Sequence, residues 1–222
     1  MIVLDLDDTL YLERNYVRSG FQAVDHWLKI YRSFEGFFDE AWSLFESGAR
    51  GTIFNMVLEG RGLRDANLVK DLINVYRSHM PLISLESDAV EFLCSYRLEE
   101  LALITDGPAI SQWAKIKALN IEKYIGTIIV TSDLGSNYSK PNPASFERIQ
   151  GTLDGNECVY IADNPLKDFI APASLGWMSS IRIRRTGSLH YYVSTPDNCV
   201  EAISLSDVDP SLLEPCKARL VI

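Results

Sequence analysis

The sequence predicts an α/β protein: a mainly parallel sheet flanked by helices and interrupted early by a helical insertion. Three observations carry that expectation. Short apolar runs recur along the chain, each followed by a polar cluster and most of them then by a helical pattern, the alternation that builds a parallel sheet with crossover helices. The first run, Ile2-Val3-Leu4, is separated from the others by a long stretch without any strand-like run. Within that stretch, Phe21, Val24, Leu28 and Tyr31 recur at helical spacing, as do Leu68, Leu72, Val75 and Tyr76. The expected organisation is a core of residues 1–13 and 84–222 with residues 14–83 inserted as a helical unit.

Taken in order, the first run delivers Asp5-Leu6-Asp7-Asp8-Thr9 at its carboxyl end. Like charges at a strand end raise one another's protonation cost, and such a cluster points to a cation or a reaction. Magnesium suits it, preferring hard oxygen ligands in octahedral geometry. The same residue types also cap helices and make turns, so the cluster alone leaves that reading open. The second run, Leu101-Ala102-Leu103-Ile104, ends in Thr105-Asp106-Gly107-Pro108, with a helix expected over 109–119. The third, Gly126 to Val130, is followed by a loop and Lys140-Pro141-Asn142-Pro143, with a helix from Pro143 through Ile149. The fourth, Cys158 to Ala162, ends in Asp163-Asn164-Pro165-Leu166-Lys167-Asp168, and Pro165 suits the first turn of a helix ending near Gly176. In an open parallel sheet, ligands bind outside the carboxyl ends of the strands, so these polar ends would converge on one crevice.

Beyond Gly176, the run 177–183 reads as an edge-side strand. Arg184 and Arg185, with Arg182 nearby, read as a solvated strand end. Segments 200–205 and 212–220 either add a strand and a short helix or help a dimer form.

In this order and spacing, Asp5-Leu6-Asp7-Asp8-Thr9, Thr105, Lys140, and Asp163 with Asp168 resemble the four motifs of the haloacid dehalogenase superfamily of phosphotransferases. The resemblance spans Met1 to about Gly176 and implies a Rossmann-like core. An insertion directly after the first strand resembles the small α-helical (C1-type) cap of that superfamily's first subclass, a lid that gates entry and release. One departure is visible, since many members carry Gly before the first late Asp and this chain has Ala162. A methyl group is tolerated there if the backbone is ordinary β and costs energy if φ is positive.

The resemblance implies a magnesium-dependent phosphatase acting on a small phosphorylated metabolite, a sugar phosphate or nucleoside monophosphate. Asp5 would be the nucleophile, forming an aspartyl phosphate that water hydrolyses more easily. Asp7 would protonate the leaving alcohol and later deprotonate water, a contribution of roughly 10²- to 10⁴-fold. Magnesium would be held by the Asp5 carboxylate, the Asp7 carbonyl and Asp163, with Asp168 supporting the metal or the lysine. Lys140 and Thr105 would meet phosphate oxygens. Thr9 and Asp106 are further candidate contacts, although Asp106, like Asp8, also reads as a local turn residue. Tyr11 and Arg14 near the hinge, and Arg50 in a glycine-flanked loop, are candidate substrate contacts. The dense aromatic residues of the insertion read mainly as core.

An acid at position 7 favours phosphate esters over the chemistry of the superfamily's dehalogenases, but a phosphomutase would keep the same acid. A non-catalytic phospho-Asp switch uses similar residues, with its acceptor on a middle strand and no such insertion. The net charge of −9 argues against nucleic-acid or acidic-membrane partners, which need clustered cations. Hydrophobic residues at 47% and charged residues at 23% are ordinary for a folded globular protein. Cys94, Cys158, Cys199 and Cys216 lie far apart, which disfavours a zinc site or a disulfide framework. His26, His79 and His190 match no metal spacing. No signal peptide or spanning stretch is read, so a cytoplasmic monomer or homodimer is expected.

Overall fold

The computed structural model describes residues 1–213. Cys216 and most of the helix expected at 212–220 therefore lie outside the described residues. The chain divides into two compact units, residues 1–14 with the chain from Ser84, and residues 15–83.

The first unit is built on a six-stranded sheet. Its strands are β1 (Ile2–Leu4), β2 (Leu101–Thr105), β3 (Thr127–Val130), β4 (Val159–Ala162), β5 (Ser179–Ile183) and β6 (Val200–Ala202). All neighbours are parallel, in the order β3-β2-β1-β4-β5-β6. The chain thus runs outward one way through β2 and β3 and the other way through β4 to β6. That leaves the switch point beside β1, where α/β sheets open their ligand crevice. β1, β2 and β4 are buried along their whole length, which explains why they read as continuous apolar runs rather than alternating ones.

Helices α5 (Ser87–Cys94), α6 (Ala109–Ala118), α7 (Thr131–Leu134), α8 (Ala144–Gln150) and α9 (Ile170–Ser174) connect the strands. On one side of the sheet, Val3, Ala102, Ile104, Cys158, Tyr160 and Ala162 pack with Phe146 of α8, Phe169 and Trp177. Ala162 ends β4 and is absent from the residues with positive φ, so its methyl group is accommodated in ordinary extended backbone.

Two expectations are corrected. Pro165 does not open a helix, which starts only at Ile170. Asn164 and Asp168 instead bond their own backbone: Leu166 N–H donates to Asn164 Oδ1 at 3.0 Å and Asn164 N–H to Asp168 Oδ2 at 3.0 Å, a local alternative to the helix ladder. The arginines after β5 are the second case. Arg182 is fully buried and Arg185 nearly so, so only Arg184 remains partly open.

The second unit is all helical: the body of α1 (Glu13–Arg32), α2 (Phe37–Glu46), α3 (Ile53–Gly60) and α4 (Ala66–Ser78). Tyr16, Phe21, Val24 and Leu28 of α1 face inward. Tyr31, at the same helical spacing, is 63% exposed, and its ring lies tilted against Trp27 of the same helix, at 5.3 Å between centroids and 39° between planes. Asp65 caps α4 by accepting the Asn67 and Leu68 N–H groups at 2.9 and 3.1 Å. Gly20 is needed where α1 meets α4, since a Cβ would lie 2.4 Å from the Tyr76 ring. Phe21 anchors an aromatic core with Phe37, Phe45, Phe54 and Tyr76. Among the described residues, no helix is long and apolar enough to cross a membrane.

Candidate active site

β1 ends at Leu4, and the Asp5 N–H still donates to the Ile161 carbonyl of β4 at 2.9 Å. Asp5 is therefore held at the carboxyl edge of the sheet, at the switch point. The chain then turns sharply. Asp8 adopts a left-handed φ of 55°, a conformation Asp tolerates because its short side chain can bond locally. Both Asp8 carboxylate oxygens are used, one accepting the Glu13 N–H at 2.8 Å and the other the Leu189 N–H at 2.7 Å. Burial pushes its carboxyl up to about 6 against those two bonds. Asp8 thus ties the loop after β1 to the start of α1 and to the segment after β5.

Three carboxylates converge on one point. Asp5, Asp163 and Asp168 each offer an oxygen, and these atoms lie within 4.8 Å of one another. Lys140 inserts from the loop before α8, with Nζ 2.9 Å from Asp5 Oδ1, 2.8 Å from Asp168 Oδ1 and 3.0 Å from the Tyr160 hydroxyl. Burial pushes the Asp5 carboxyl up to about 7, even though Lys140 opposes it. Asp163 is raised well above the usual carboxylate range by burial and then by the Asp5, Asp8 and Asp168 charges. Burial would lower Lys140, but Asp168 and Asp5 hold it well above its ordinary value. One ammonium does not balance three buried carboxylates. Oxygen donors with excess negative charge are the donor set a hard divalent cation fits, so Asp5, Asp163 and Asp168 are suited to hold magnesium.

Asp7 faces other partners. Lys115 Nζ on α6 lies 2.7 and 2.9 Å from its two oxygens. Gln112 Nε2 donates to it at 3.2 Å, and the Tyr11 hydroxyl donates as well. Burial acts to raise the Asp7 carboxyl, but the Lys115 charge and these hydrogen bonds bring it below the usual range. Its side chain is committed to this clamp, so any share in a metal site would fall to its carbonyl.

Asp106 braces the other wall. It accepts from the Thr131 hydroxyl at 2.8 Å, the Lys140 N–H at 3.1 Å and Lys167 Nζ at 2.6 Å. Thr105 is fully buried and donates to Gln112 Oε1 at 3.2 Å. Gly107, with φ of 136°, has no room for a side chain, since a Cβ would lie 2.5 Å from Gln112 Nε2. Thr9 is buried, and its carbonyl accepts Arg185 Nη2 at 3.0 Å. The Tyr11 ring is buried. Arg14 lies near Gly187, in the segment after β5. In the helical unit, Arg50 donates to the Phe45 and Ala49 carbonyls, both at 2.7 Å, and stacks on the Phe45 ring.

Sequence reasoning missed three groups. Gln112 and Lys115 share the face of α6 that carries buried Ile116. A lysine on the apolar face of an amphipathic helix was the signal that could have found them. Lys167 stood unremarked within the late acidic motif. Arg182 and Arg185 were read as solvated. Arg182 instead donates to the Asp163 carbonyl at 3.1 Å, His190 O at 2.7 Å, Val193 O at 2.6 Å and Thr195 Oγ1 at 2.8 Å. Arg185 grips both Asp88 oxygens at 3.0 and 2.8 Å. A planar fork with five donors can satisfy several loop carbonyls at once, which draws the arginine inside.

Known proteins resemble this chain in sequence and in fold. A family model for haloacid dehalogenase-like hydrolases matches residues 1–176. A glyceraldehyde 3-phosphate phosphatase from Methanopyrus kandleri is 33% identical over 88 residues, covering 39% of this chain and 36% of that protein. The match thus spans about a third of the relative's length. Among solved structures, the magnesium-bound HAD-hydrolase YfnB from Bacillus subtilis superposes with a TM-score of 0.65 at 14% identity, covering 96% of this chain and 97% of that one. A HAD family hydrolase from Deinococcus radiodurans with bound phosphate and sodium gives a TM-score of 0.64 at 16% identity, covering 96% and 95%. At these identities the structural likeness is one of fold, whereas the family model covers most of the sequence. The chain therefore belongs to the haloacid dehalogenase-like hydrolase family.

Proposed function

We propose that the chain is a magnesium-dependent phosphatase that hydrolyses a small phosphorylated metabolite, such as a sugar phosphate or nucleoside monophosphate, through an aspartyl phosphate on Asp5. The observation that carries this reading is the Asp5 carboxylate at the end of the central strand, 2.9 Å from Lys140 Nζ and within reach of Asp163 and Asp168. A phosphatase and a phosphate-bound hydrolase among the similar proteins support it. Magnesium on Asp5 and Asp163 would offset the charge of an anionic phosphate approaching an anionic nucleophile.

In this mechanism Asp5 attacks phosphorus in line with the leaving oxygen. Lys140 fixes the Asp5 rotamer, and Asp168, ion-paired with Lys140 through one oxygen and accepting the Asn164 N–H with the other, fixes Lys140. Asp7 carries the proton. Lys115 keeps it ionised in the free protein, ready to take a proton from the hydrolytic water. An arriving phosphate dianion raises its proton affinity by like-charge repulsion, so Asp7 takes up a proton from solvent and passes it to the leaving alcohol. The helical unit of residues 15–83 serves as a lid and supplies substrate selectivity.

The test is phosphate release from a panel of sugar phosphates, nucleotides and phosphorylated acids, with magnesium or with chelator, and with Asp5→Asn in parallel. Metal-dependent release on a few related compounds, absent in the variant, is expected. Isomerised sugar phosphate without released phosphate would replace this reading with a mutase.

A further inference from the structure

Gln112, in the first turn of α6, is 3% exposed. No step of the reaction uses it, yet its amide touches three groups of the site. Nε2 donates to Asp7 Oδ2 at 3.2 Å and to the Asp106 carbonyl at 2.6 Å, and Oε1 accepts from the Thr105 hydroxyl at 3.2 Å. Both neighbours on the nitrogen side are acceptors with no proton to give, which fixes which way round the amide sits. Gly107 leaves it room, since a Cβ there would lie 2.5 Å from Nε2. Thr105 ends β2 and Asp106 follows it, beside β1 in the sheet. The amide therefore joins the end of β2 to the loop after β1.

What the amide adds to Asp7 is direction. Lys115 Nζ straddles the two Asp7 oxygens at 2.7 and 2.9 Å. An ammonium is a compact point charge on a flexible stem, so it sets where the carboxylate charge stands more than which way its plane faces. The Tyr11 hydroxyl and the Gln112 amide each approach a different oxygen, Oδ1 and Oδ2, and two directional donors on different oxygens fix that plane. The Asp7 side chain keeps 16% of its surface open, so a carboxylate fixed in this way still reaches the crevice. Aim of this kind is worth a good deal, because a misplacement of about 1 Å can cost roughly 10²-fold in rate.

We propose that Gln112 is a positioning residue of the reaction: its amide, braced on the Thr105 hydroxyl and the Asp106 carbonyl, turns the Asp7 carboxylate to face the leaving oxygen. This rests on the phosphatase reading above and deepens it. In the step concerned, an Asp5 oxygen forms its bond to phosphorus and the bond from phosphorus to the leaving oxygen breaks. The leaving oxygen keeps the electron pair and takes the proton from Asp7. Loss of Gln112 therefore harms esters whose leaving group needs that proton and spares those whose leaving group does not.

The experiment compares kcat/KM of wild type, Gln112→Met and Gln112→Glu in saturating magnesium, on the best alkyl ester of the panel and on 4-nitrophenyl phosphate, whose phenolate leaves without a proton at neutral pH. This constant covers the steps up to departure of the leaving group, so hydrolysis of the aspartyl phosphate does not enter it. Methionine keeps the volume of the side chain and removes its three hydrogen bonds. The ratio of the alkyl to the aryl value should fall about tenfold or more in Gln112→Met, with the aryl value within about threefold of wild type. Equal loss on both esters, or wild-type values on both, would make Gln112 a support for the fold of this edge alone, and the proposal falls. If Gln112→Met does not fold, Gln112→Glu decides. Its side chain still accepts from Thr105 but cannot donate to both Asp7 and the Asp106 carbonyl, so a lowered ratio supports the proposal and an unchanged ratio contradicts it. If wild type releases phosphate from neither 4-nitrophenyl phosphate nor any ester of the panel, the phosphatase reading fails and the proposal with it, a result distinct from equal ratios in active proteins.

Discussion

Replacing Arg182 with methionine should destabilise the core unit by about 3 kcal/mol, because one buried guanidinium holds four acceptors at once. The bond to the Asp163 carbonyl is fully buried at 3.1 Å, and leaving that carbonyl unpaired costs about 1–3 kcal/mol. The bonds to His190, Val193 and Thr195 are only partly buried, so water can replace the lost donor and each contributes about 0.5–1 kcal/mol. Release from burying a charge that makes no ion pair among the described residues offsets part of the total. Urea unfolding followed by fluorescence, read at constant m-value, measures the change. Hydrogen exchange adds a local readout. The Leu189 N–H, which donates to Asp8, should lose protection when its segment is no longer gripped from the Arg182 side. A change below about 1 kcal/mol, with Leu189 still protected, would refute the idea that Arg182 fastens this segment.

Two further outcomes follow from the same geometry. Burial acts to raise the Asp88 carboxyl, but Arg185 and the Leu205 N–H hold it below the ordinary carboxylate range. A lowered folded-state value means stability that is present above the unfolded value of about 4 and fades as pH falls through the folded one. Asp88→Asn should therefore flatten part of the acid limb of the stability–pH curve, and an unchanged limb in pH-dependent melts would count against the Arg185 pair. Lys115→Met should lower kcat by about tenfold or more with a smaller change in KM, since proton transfer through a positioned Asp7 contributes roughly 10²- to 10⁴-fold. Steady-state kinetics with wild-type kcat would show that the clamp does not position Asp7.

Much of the core was legible because its strands are short apolar runs ending in chemistry-bearing residues. Asp5, Asp163 and Asp168, in the turns that follow β1 and β4, and Lys140, in the loop before α8, are brought together because a parallel sheet gathers carboxyl ends and the loops that follow them at one edge. What stayed hidden depends on partners distant in sequence. Lys115 is 108 residues from Asp7, and Arg185 is 176 from Thr9, separations that no local pattern reports. The misplaced helix start at Pro165 has a different cause. Asn164 and Asp168 satisfy the backbone locally, and side-chain competition of that kind overrides the proline signal. Arg182 illustrates the limit of reading charge as exposure, since a run of loop carbonyls can enclose a guanidinium that composition alone assigns to water.

In the proposed reaction the phosphoryl group passes through Asp5. Rapid acid quench during turnover with magnesium, followed by peptide mass spectrometry, tests it directly. The expected result is a phosphoryl adduct on the peptide that begins the chain, assigned to Asp5, labile to hydroxylamine and absent in a folded Asp5→Asn variant that does not turn over. Undiminished turnover in Asp5→Asn, or an adduct on any other residue, would contradict it.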